Sequence, residues 1–356
     1  MPLHSFDTYS VSVIMKFTLA VAFIAGVSAY DPEAPATHQL IADTINKMGT
    51  TWTAHVSPRF TNATNADVAM LCGSVLVGEE GYEELPEQTH LTGLADTPDS
   101  FDSTTDFPGC EDIIGHVRDQ SNCGSCWAFG STEAFNDRRC IAHGDKKWYA
   151  AEDTLACCSG IRCGLSMGCN GGQPGSAWSW MVNTGVTTGG DESITGDGST
   201  CNPYPFAACA HHVDPTDDYP SCPTDGEYAT PKCTKECIDD KYDTKYADDK
   251  VKALSSFSVK GEEKIMEEIS TNGPVTAAFT VYEDFTSYKS GVYQHKTGKA
   301  LGGHAIEIVG YGEEDGTKYW KIKNSWNPTW GDGGFFKILR GSNECGIENQ
   351  ISAGLV

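Results

Sequence analysis

The sequence predicts an α+β fold with a helical, disulfide-rich first half and an antiparallel β second half. A compact apolar run after Cys126 is typical of a buried helix that begins at Ser125 or Cys126. Cysteines crowd residues 157–172, as expected for a disulfide-linked region. Three strand-like runs at 275–281, 304–309 and 319–323 are separated by glycine-containing turns, which favours a sheet in the second half.

The composition excludes some classes of function. The 356 residues include 49 acidic side chains against 25 lysines and arginines, for a formal net charge of −24. Because no basic patch is available to neutralise phosphates, we expect no nucleic-acid partner. An acidic surface repels itself less as carboxylates protonate, which favours an acidic working compartment. Fifteen cysteines indicate an oxidising compartment. We expect no cofactor and no metal.

The N-terminus resembles a secretory leader. Lys16 precedes an apolar run over residues 17–27, and Val27-Ser28-Ala29 is a small-residue cleavage pattern. We therefore predict a signal peptide over residues 1–29, with Met15 as an alternative start. The run is too short to span a bilayer, so no membrane span is expected. Asn62 is the one plausible N-glycosylation acceptor.

The pair Cys123 and Cys126 allows two interpretations. A cysteine at a helix N-terminus lies among unpaired N–H groups at the positive end of the helix dipole, which favours the nucleophilic thiolate. The alternative is that both cysteines belong to a disulfide or zinc set, as CxxC pairs often do. The spacing alone leaves both interpretations open.

The rest of the chain offers the groups that a thiol nucleophile needs. His304 follows two glycines at the start of an apolar strand, and Asn324 follows the next strand. Adjacent antiparallel strands would bring the two side by side, with the Asn324 amide accepting from the imidazole. Gln120 lies six residues before Cys126 and is a candidate oxyanion donor.

These motifs resemble the papain family of cysteine proteases. The run Cys123-Gly124-Ser125-Cys126-Trp127 matches the signature of that family. Its C-terminal motifs also match, namely Asn324-Ser325-Trp326, Trp330-Gly331 and Gly333-Gly334-Phe335. Cys126 and His304 are 178 residues apart, more than the roughly 130–150 typical of the family. The excess falls in residues 201–250, where 209–222 resembles the occluding loop of cathepsin B.

The resemblance implies a papain-like two-lobed fold with a helical left lobe and an antiparallel β-barrel right lobe. Residues 30–96 would be an inhibitory propeptide, with Cys72-Gly73 near the active thiol and cleavage near 94–99. Residues 97–356 would be the catalytic domain. Cys126 would be the nucleophile, His304 its imidazolium partner and Asn324 the group that orients the ring. Gln120 and the Cys126 N–H would form the oxyanion hole.

The resemblance also implies a disulfide pattern that leaves Cys126 and Cys345 free. The six implied pairs are Cys110–Cys140, Cys123–Cys169, Cys157–Cys233, Cys158–Cys163, Cys201–Cys237 and Cys209–Cys222.

Two departures from cathepsin B concern the implied occluding loop and the second subsite. His211 and His212 would receive a substrate C-terminus, with His211 tied to Asp119, while Thr329 replaces an aspartate that fixes the family's loop. Gln350 replaces a glutamate that accepts arginine at P2, and Gln173 replaces a tyrosine. The other implied substrate-binding residues are Gly171, Gly172, Pro174, Ala278, Ala305 and Trp326.

The resemblance implies a cysteine peptidase with endopeptidase and C-terminal peptidyl-dipeptidase activity and an acidic optimum. Its implied partners are peptide and protein substrates, its own propeptide and cystatin-type inhibitors, and a monomer is the default. Its implied location is the secretory pathway, ending in a lysosome or vacuole or outside the cell. Two alternatives are a non-catalytic binding protein on the same scaffold and a metal-binding module using the CxxC pair with His211 and His212.

Overall fold

A computed structural model describes residues 30–91, 97–210, 215–217, 219–221 and 226–356. Residues 31–356 belong to one folded unit. The predicted signal peptide, residues 1–29, lies outside the described residues, and so do residues 94–96 of the predicted cleavage region 94–99. Within the described part, no helix is both long and apolar enough to cross a bilayer.

Helices dominate the first half of the chain, as the sequence predicts. In the described residues they are α1 Gln39–Met48, α2 Asn65–Leu71, α3 Ser103–Asp106, α4 Glu111–Ile114, α5 Cys126–His143, α6 Ala151–Cys157, α7 Pro174–Asn183, α8 Tyr246–Asp249 and α9 Glu262–Asn272.

The strands lie mostly in the second half and form one sheet. They are β1 Trp52–Ala54, β2 Phe101–Asp102, β3 Phe257–Ser258, β4 Val275–Tyr282, β5 Tyr288–Tyr293, β6 Ala300–Glu314, β7 Thr317–Lys323, β8 Phe335–Leu339 and β9 Ile351–Ala353. Their order is β1-β5-β8-β7-β6-β4-β9-β3, with β2 paired to β6. The pairing of β5 with β8 is parallel, and the other pairings are antiparallel.

The predicted β-barrel is wrong in one respect, because the sheet is open. Closure would require the two outermost strands, β1 and β3, to pair with each other. In the described residues β1 pairs with β5 and the two-residue β3 pairs with β9. On its other edge β3 meets the N-terminal segment, where the Ser258 N–H donates to the Pro86 carbonyl and the Gln88 N–H donates to the Ser258 carbonyl, both at 2.9 Å. The two outermost strands are therefore not joined to each other in the described residues.

Helix α5 lies between two hydrophobic cores. One core contains Trp127, Phe129 and Phe135 of α5 with Trp178 of α7, and the other fills the sheet around Phe279. A Cβ on Gly130 of α5 would lie 3.1 Å from the Ile306 carbonyl oxygen of β6. A glycine at this position therefore lets the helix approach the sheet closely.

Five disulfides link the described residues at five of the six implied pairs. These are Cys110–Cys140, Cys123–Cys169, Cys157–Cys233, Cys158–Cys163 and Cys201–Cys237. Cys222, the implied partner of Cys209, lies outside the described residues. The free cysteines of the described part are Cys72, Cys126 and Cys345.

The N-terminal segment, residues 30–91, packs across the rest of the fold. Its strand β1 pairs with β5, and Pro58-Arg59-Phe60 forms a short 3₁₀ turn. Beyond α2, Gly73 and Ser74 form isolated parallel bridges to Gly303 and Gly172. The segment therefore follows the boundary between the helical half and the sheet.

Candidate active site

His304 and Asn324 are brought together by neighbouring strands. β6 and β7 are antiparallel, and Asn324 directly follows the last residue of β7. His304 Nε2 lies 2.7 Å from Asn324 Oδ1, which also accepts from the Ser325 N–H at 2.9 Å. Because the amide oxygen accepts from Nε2–H, the tautomer leaves Nδ1 free of a proton. Within the described residues Nδ1 is buried without a hydrogen-bond partner.

Trp326 covers the ring of His304. The two ring centroids are 4.7 Å apart with an interplanar angle of 34°. On its other side Trp326 meets Phe60 of the N-terminal segment edge-on at 5.3 Å. His304, Asn324 and Trp326 are all fully buried. This packing excludes water from the imidazole–amide bond, which strengthens it.

Cys126 is the first residue of α5, with Ser125 at the N-cap. Backbone N–H groups of Ala305 and Gly73 point at its thiol. Ala305 follows His304 on β6, so the thiol lies against the strand that holds the imidazole. A Cβ on Gly73 would overlap the Gly124 carbonyl oxygen. Only a glycine lets the N-terminal segment come this close to the start of α5.

Gln120 is fixed so that its amide N–H group faces the same place. Its Oε1 accepts from the Ser325 hydroxyl at 2.8 Å, and its backbone N–H donates to the Ser325 carbonyl at 2.9 Å. Its Nε2 donates to the Cys123 carbonyl at 2.8 Å and to the Leu71 carbonyl at 3.0 Å. A peptide carbonyl of the N-terminal segment therefore occupies the position that the resemblance assigns to the oxyanion.

The electrostatics of this covered site favour the neutral forms of both reactive groups. Burial raises the pKa of the Cys126 thiol to about 11, although backbone N–H groups oppose this. Burial lowers the pKa of His304 to about 4, opposed by the bond to Asn324. The helix N-terminus favours the thiolate, but burial, to which the covering N-terminal segment contributes, outweighs that effect.

The backbone of the N-terminal segment pairs with Gly172. The Gly172 N–H donates to the Gly73 carbonyl at 2.9 Å, and the Val75 N–H donates to the Gly172 carbonyl at 3.1 Å. Gly171 has a φ of 106°, a conformation that favours glycine. These bonds show that the groove at the boundary between the helical half and the sheet accepts an extended chain as an added strand.

Two glutamines of the implied second subsite also bind the N-terminal segment. Gln350 Nε2 donates to the Val75 carbonyl and Gln350 Oε1 accepts from the Val77 N–H, both at 2.9 Å. Gln173 Nε2 donates to the Gly81 carbonyl at 2.6 Å, and its Oε1 accepts from the Glu83 N–H at 2.8 Å. Each carboxamide therefore uses both a donor and an acceptor on backbone groups.

Some of the remaining predicted site residues lie in the described part of the chain and others lie outside it. Pro174 begins α7, Ala278 and Ala305 are register partners on β4 and β6, and Asn62 is exposed on the N-terminal segment. His211 and His212 lie outside the described residues, and so does the predicted contact of His211 with Asp119. Asp119 accepts from the Ser121 N–H at 2.8 Å and from Asn327 Nδ2 at 3.1 Å.

Sequence reasoning did not single out Ser325 or Gly334. Ser325 fixes the Gln120 amide, and the Gly334 carbonyl accepts from the Asn324 N–H at 3.1 Å. Both residues occur in motifs that the sequence analysis quotes, but their roles depend on which loops meet in the folded chain.

Comparisons with known proteins identify the family. A model described as "Papain family cysteine protease" matches residues 97–355. The chain belongs to this family. Cathepsin B-like cysteine proteinase 6 of Caenorhabditis elegans is 43% identical over 88% of the chain and 82% of that protein. Cathepsin B-like cysteine proteinase 4 of the same organism is 41% identical over 96% of the chain and 99% of that protein. The chain is therefore a cathepsin B-like cysteine peptidase.

Solved structures give the same fold in its proform. Procathepsin B S9 of Trypanosoma congolense is similar with a TM-score of 0.74 and 34% identity, over 90% of this chain and 99% of that one. A digestive procathepsin L 3 from Tenebrio molitor, at 19% identity, has a TM-score of 0.62 over 88% of this chain and 86% of that one, and shows the papain-like fold alone. The alternative of a metal-binding module fails for another reason. Cys123 forms a disulfide with Cys169, so the pair Cys123 and Cys126 cannot both bind a metal.

Proposed function

We propose that this peptidase is an acid-active enzyme that cleaves within peptides and also removes dipeptides from their C-termini. The N-terminal segment acts as its inhibitory propeptide until cleavage near residues 94–99. The predicted signal peptide and the fifteen cysteines support delivery through the secretory pathway to a lysosome, a vacuole or the exterior.

One observation supports this function above the others. The Leu71 carbonyl accepts from Gln120 Nε2 while the same chain pairs with Gly172 and its Gly73 N–H points at the Cys126 thiol. A polypeptide is thus held with a carbonyl group at the oxyanion donors and its backbone in the groove. A substrate chain placed in this groove would present its carbonyl carbon to the sulfur.

The residues of the site are suited to acyl transfer. After the propeptide leaves, the Cys126 thiol passes its proton to His304 Nδ1, and the thiolate attacks the scissile carbonyl carbon. His304 then returns the proton to the leaving amine, and a thioester remains on Cys126. Water, deprotonated by His304, hydrolyses the thioester and regenerates the thiol. Asn324 keeps the imidazole in the required tautomer throughout.

The proposal is tested by peptide cleavage across pH 4–7 with acid-matured protein and with Cys126→Ala. We expect cleavage that is strongest at acidic pH and absent in the variant. The alternative, a binding protein on the same scaffold, predicts no cleavage by either protein. It also predicts no pH-dependent stoichiometric modification of Cys126 by a thiol-reactive epoxide.

The same experiment separates the two activities when each peptide is offered with a free C-terminus and as its amide. At the base of the implied occluding loop, the Ala210 N–H donates to the Pro220 carbonyl at 2.8 Å, which brings the two ends of the loop together. A protonated His211 would receive a substrate carboxylate. We expect the free acid to be preferred at pH 4–5 and this preference to decline toward pH 7. A constant preference would contradict the role of the loop.

Gln350 is expected to disfavour arginine at P2. Leu76 of the propeptide packs against the cluster that includes Ala278 and Ala305, so the pocket takes an apolar side chain. Without a carboxylate at its base, a P2 arginine loses a charge-assisted bond of about 1.5–3 kcal/mol. We expect Leu over Arg at P2 in the wild type, and Gln350→Glu should raise kcat/KM for P2 Arg by about 10- to 100-fold. A substrate library that shows wild-type preference for P2 Arg would contradict this.

A further inference from the structure

A buried ion cluster lies behind the catalytic residues, between α5 and the sheet. Lys323 Nζ is 3.0 Å from Asp137 Oδ2 and 2.9 Å from Glu307 Oε2. It also donates to the Ile114 carbonyl at 3.0 Å. The three charged side chains are at most 1% exposed. The reaction described above uses none of them.

Each member of the cluster lies on an element that holds a catalytic residue. Asp137 is on α5, which begins at Cys126. Glu307 is on β6, three residues after His304, and it is the register partner of Lys323. Lys323 is the last residue of β7 and directly precedes Asn324. The Lys323 ammonium group therefore contacts α5, which holds Cys126, and β6, which holds His304. Its own strand, β7, ends just before Asn324.

The charges around Lys323 keep it protonated. Burial disfavours its ammonium form, but Asp137, Glu307 and Glu133 outweigh this and raise its pKa. Burial also raises the pKa of Glu307 well above its usual value, with Asp137 adding to the shift.

Glu133 completes the cluster on the side of the helix. Burial raises the pKa of Glu133 to about 7, and Asp137 adds to this shift. Lys323, Arg118 and His116 oppose it. With Glu307 and Glu133 protonated in acid, Lys323 and Asp137 remain as one neutral pair. The ion pair of Lys323 with Asp137 and its hydrogen bond to the Ile114 carbonyl are therefore intact at the acidic pH at which we propose the enzyme works.

We propose that Lys323 is a positioning residue of the peptidase, whose bonds to Asp137 and Glu307 set where α5 lies against β6 and β7. The approach of the Cys126 thiol to the His304–Asn324 pair depends on that placement. Apolar packing between the helix and the sheet is not directional, whereas an ion pair with further hydrogen bonds fixes distance and angle. Close packing of Gly130 on Ile306 lets α5 contact β6, and Lys323 determines how far α5 lies along the strand.

The test compares acid-matured wild type with Lys323→Met, which is unbranched, one atom shorter and uncharged. We measure kcat and KM on a peptide amide, and the rate of Cys126 alkylation by iodoacetamide between pH 3.5 and 9. We expect kcat to fall about 10- to 100-fold while KM changes less than about threefold, because a displaced thiol weakens attack more than binding. The acidic limb of the alkylation profile should move up by about one pH unit.

A matched control separates positioning from the general loss of a buried ion pair. Lys250 is largely buried, with a side chain 9% exposed, and pairs with Asp153 in the helical half; its other side-chain hydrogen bond is to the Gly185 carbonyl. Lys250→Met should lower thermal stability yet keep the wild-type kcat and alkylation profile per titrated active site. If Lys250→Met shifts the alkylation profile as Lys323→Met does, positioning by Lys323 is contradicted.

A second variant replaces the two carboxyl groups that Lys323→Met would leave buried without a cation. Lys323→Met with Asp137→Asn and Glu307→Gln should regain thermal stability but not kcat. If this triple variant has the wild-type kcat and profile, the cluster is only structural and the proposal is wrong. It also provides the comparison if the single variant does not fold. The proposal rests on the peptidase activity. A wild type that cleaves nothing would contradict that activity, and the alkylation profile would then still test the positioning role of Lys323.

Discussion

Removal of the propeptide is expected to raise the thiolate fraction of Cys126 at pH 7 by up to about four orders of magnitude and to accelerate its alkylation. A thiol with a pKa of about 11 is ionised in about one molecule in 10⁴ at this pH. His304, with a pKa lowered to about 4 by burial, is neutral there and cannot act as a cationic partner. Between about pH 4 and pH 11 the covered pair is therefore thiol and imidazole.

Removal of the propeptide reverses both shifts because it returns water to the site. The first-turn N–H groups of α5 and a protonated His304 then favour the thiolate. The measurement is the iodoacetamide rate at Cys126, followed by mass spectrometry, for the unprocessed chain held at pH 7 and for the matured enzyme. The urea-unfolded chain is the control, in which Cys72, Cys126 and Cys345 should react alike. Equal rates at Cys126 in the two folded forms would contradict this account.

Local patterns in the sequence predict the elements that hold Cys126, His304 and Asn324. The apolar run after Cys126 gives the start of α5, and alternating residues give β6 and β7, because these signals depend on neighbours a few positions away. The adjacency of His304 and Asn324 also follows, since consecutive antiparallel strands are usually paired. The motifs around Cys126 and Asn324 are sufficient to indicate the family.

Features that depend on distant segments are not predictable in this way. The raised pKa of Cys126 depends on burial in the folded chain, where the segment at Gly73, 53 residues earlier, lies against the thiol. The open sheet depends on which short strands occupy its two ends. The positions of Glu307 and Lys323 look like ordinary alternating strand residues, and only the folded chain shows that both face Asp137 of α5.

The structure shows what Gln173 and Gln350, two departures from the family pattern, bind. The sequence marks Gln173 and Gln350 only as replacements in a substrate pocket. In the fold each carboxamide holds the propeptide backbone with one donor and one acceptor. Carboxamides do not titrate, so these four bonds do not change with pH. Release of the propeptide in acid must therefore begin with other contacts.

The second large effect is expected at Gln120. Its Nε2 already donates to a peptide carbonyl, so the amide lies where charge would develop on a substrate oxygen. The loss of one such donor costs about 2.7–4 kcal/mol, or about 10²–10³ in kcat. We expect Gln120→Ala to lower kcat of the matured enzyme by this factor and to change KM much less, because the bond strengthens as the oxyanion forms.

Ser325→Ala provides the matched control for Gln120→Ala. It removes the hydroxyl that donates to Gln120 Oε1 but keeps the amide N–H group that faces the substrate. We expect a loss of kcat of about tenfold or less, the size of one neutral hydrogen bond that acts through orientation. Active-site titration with an epoxide corrects both variants for misfolded protein. If Gln120→Ala retains kcat within threefold of Ser325→Ala, the Gln120 amide does not stabilise the oxyanion, and the Cys126 N–H must do so with another donor.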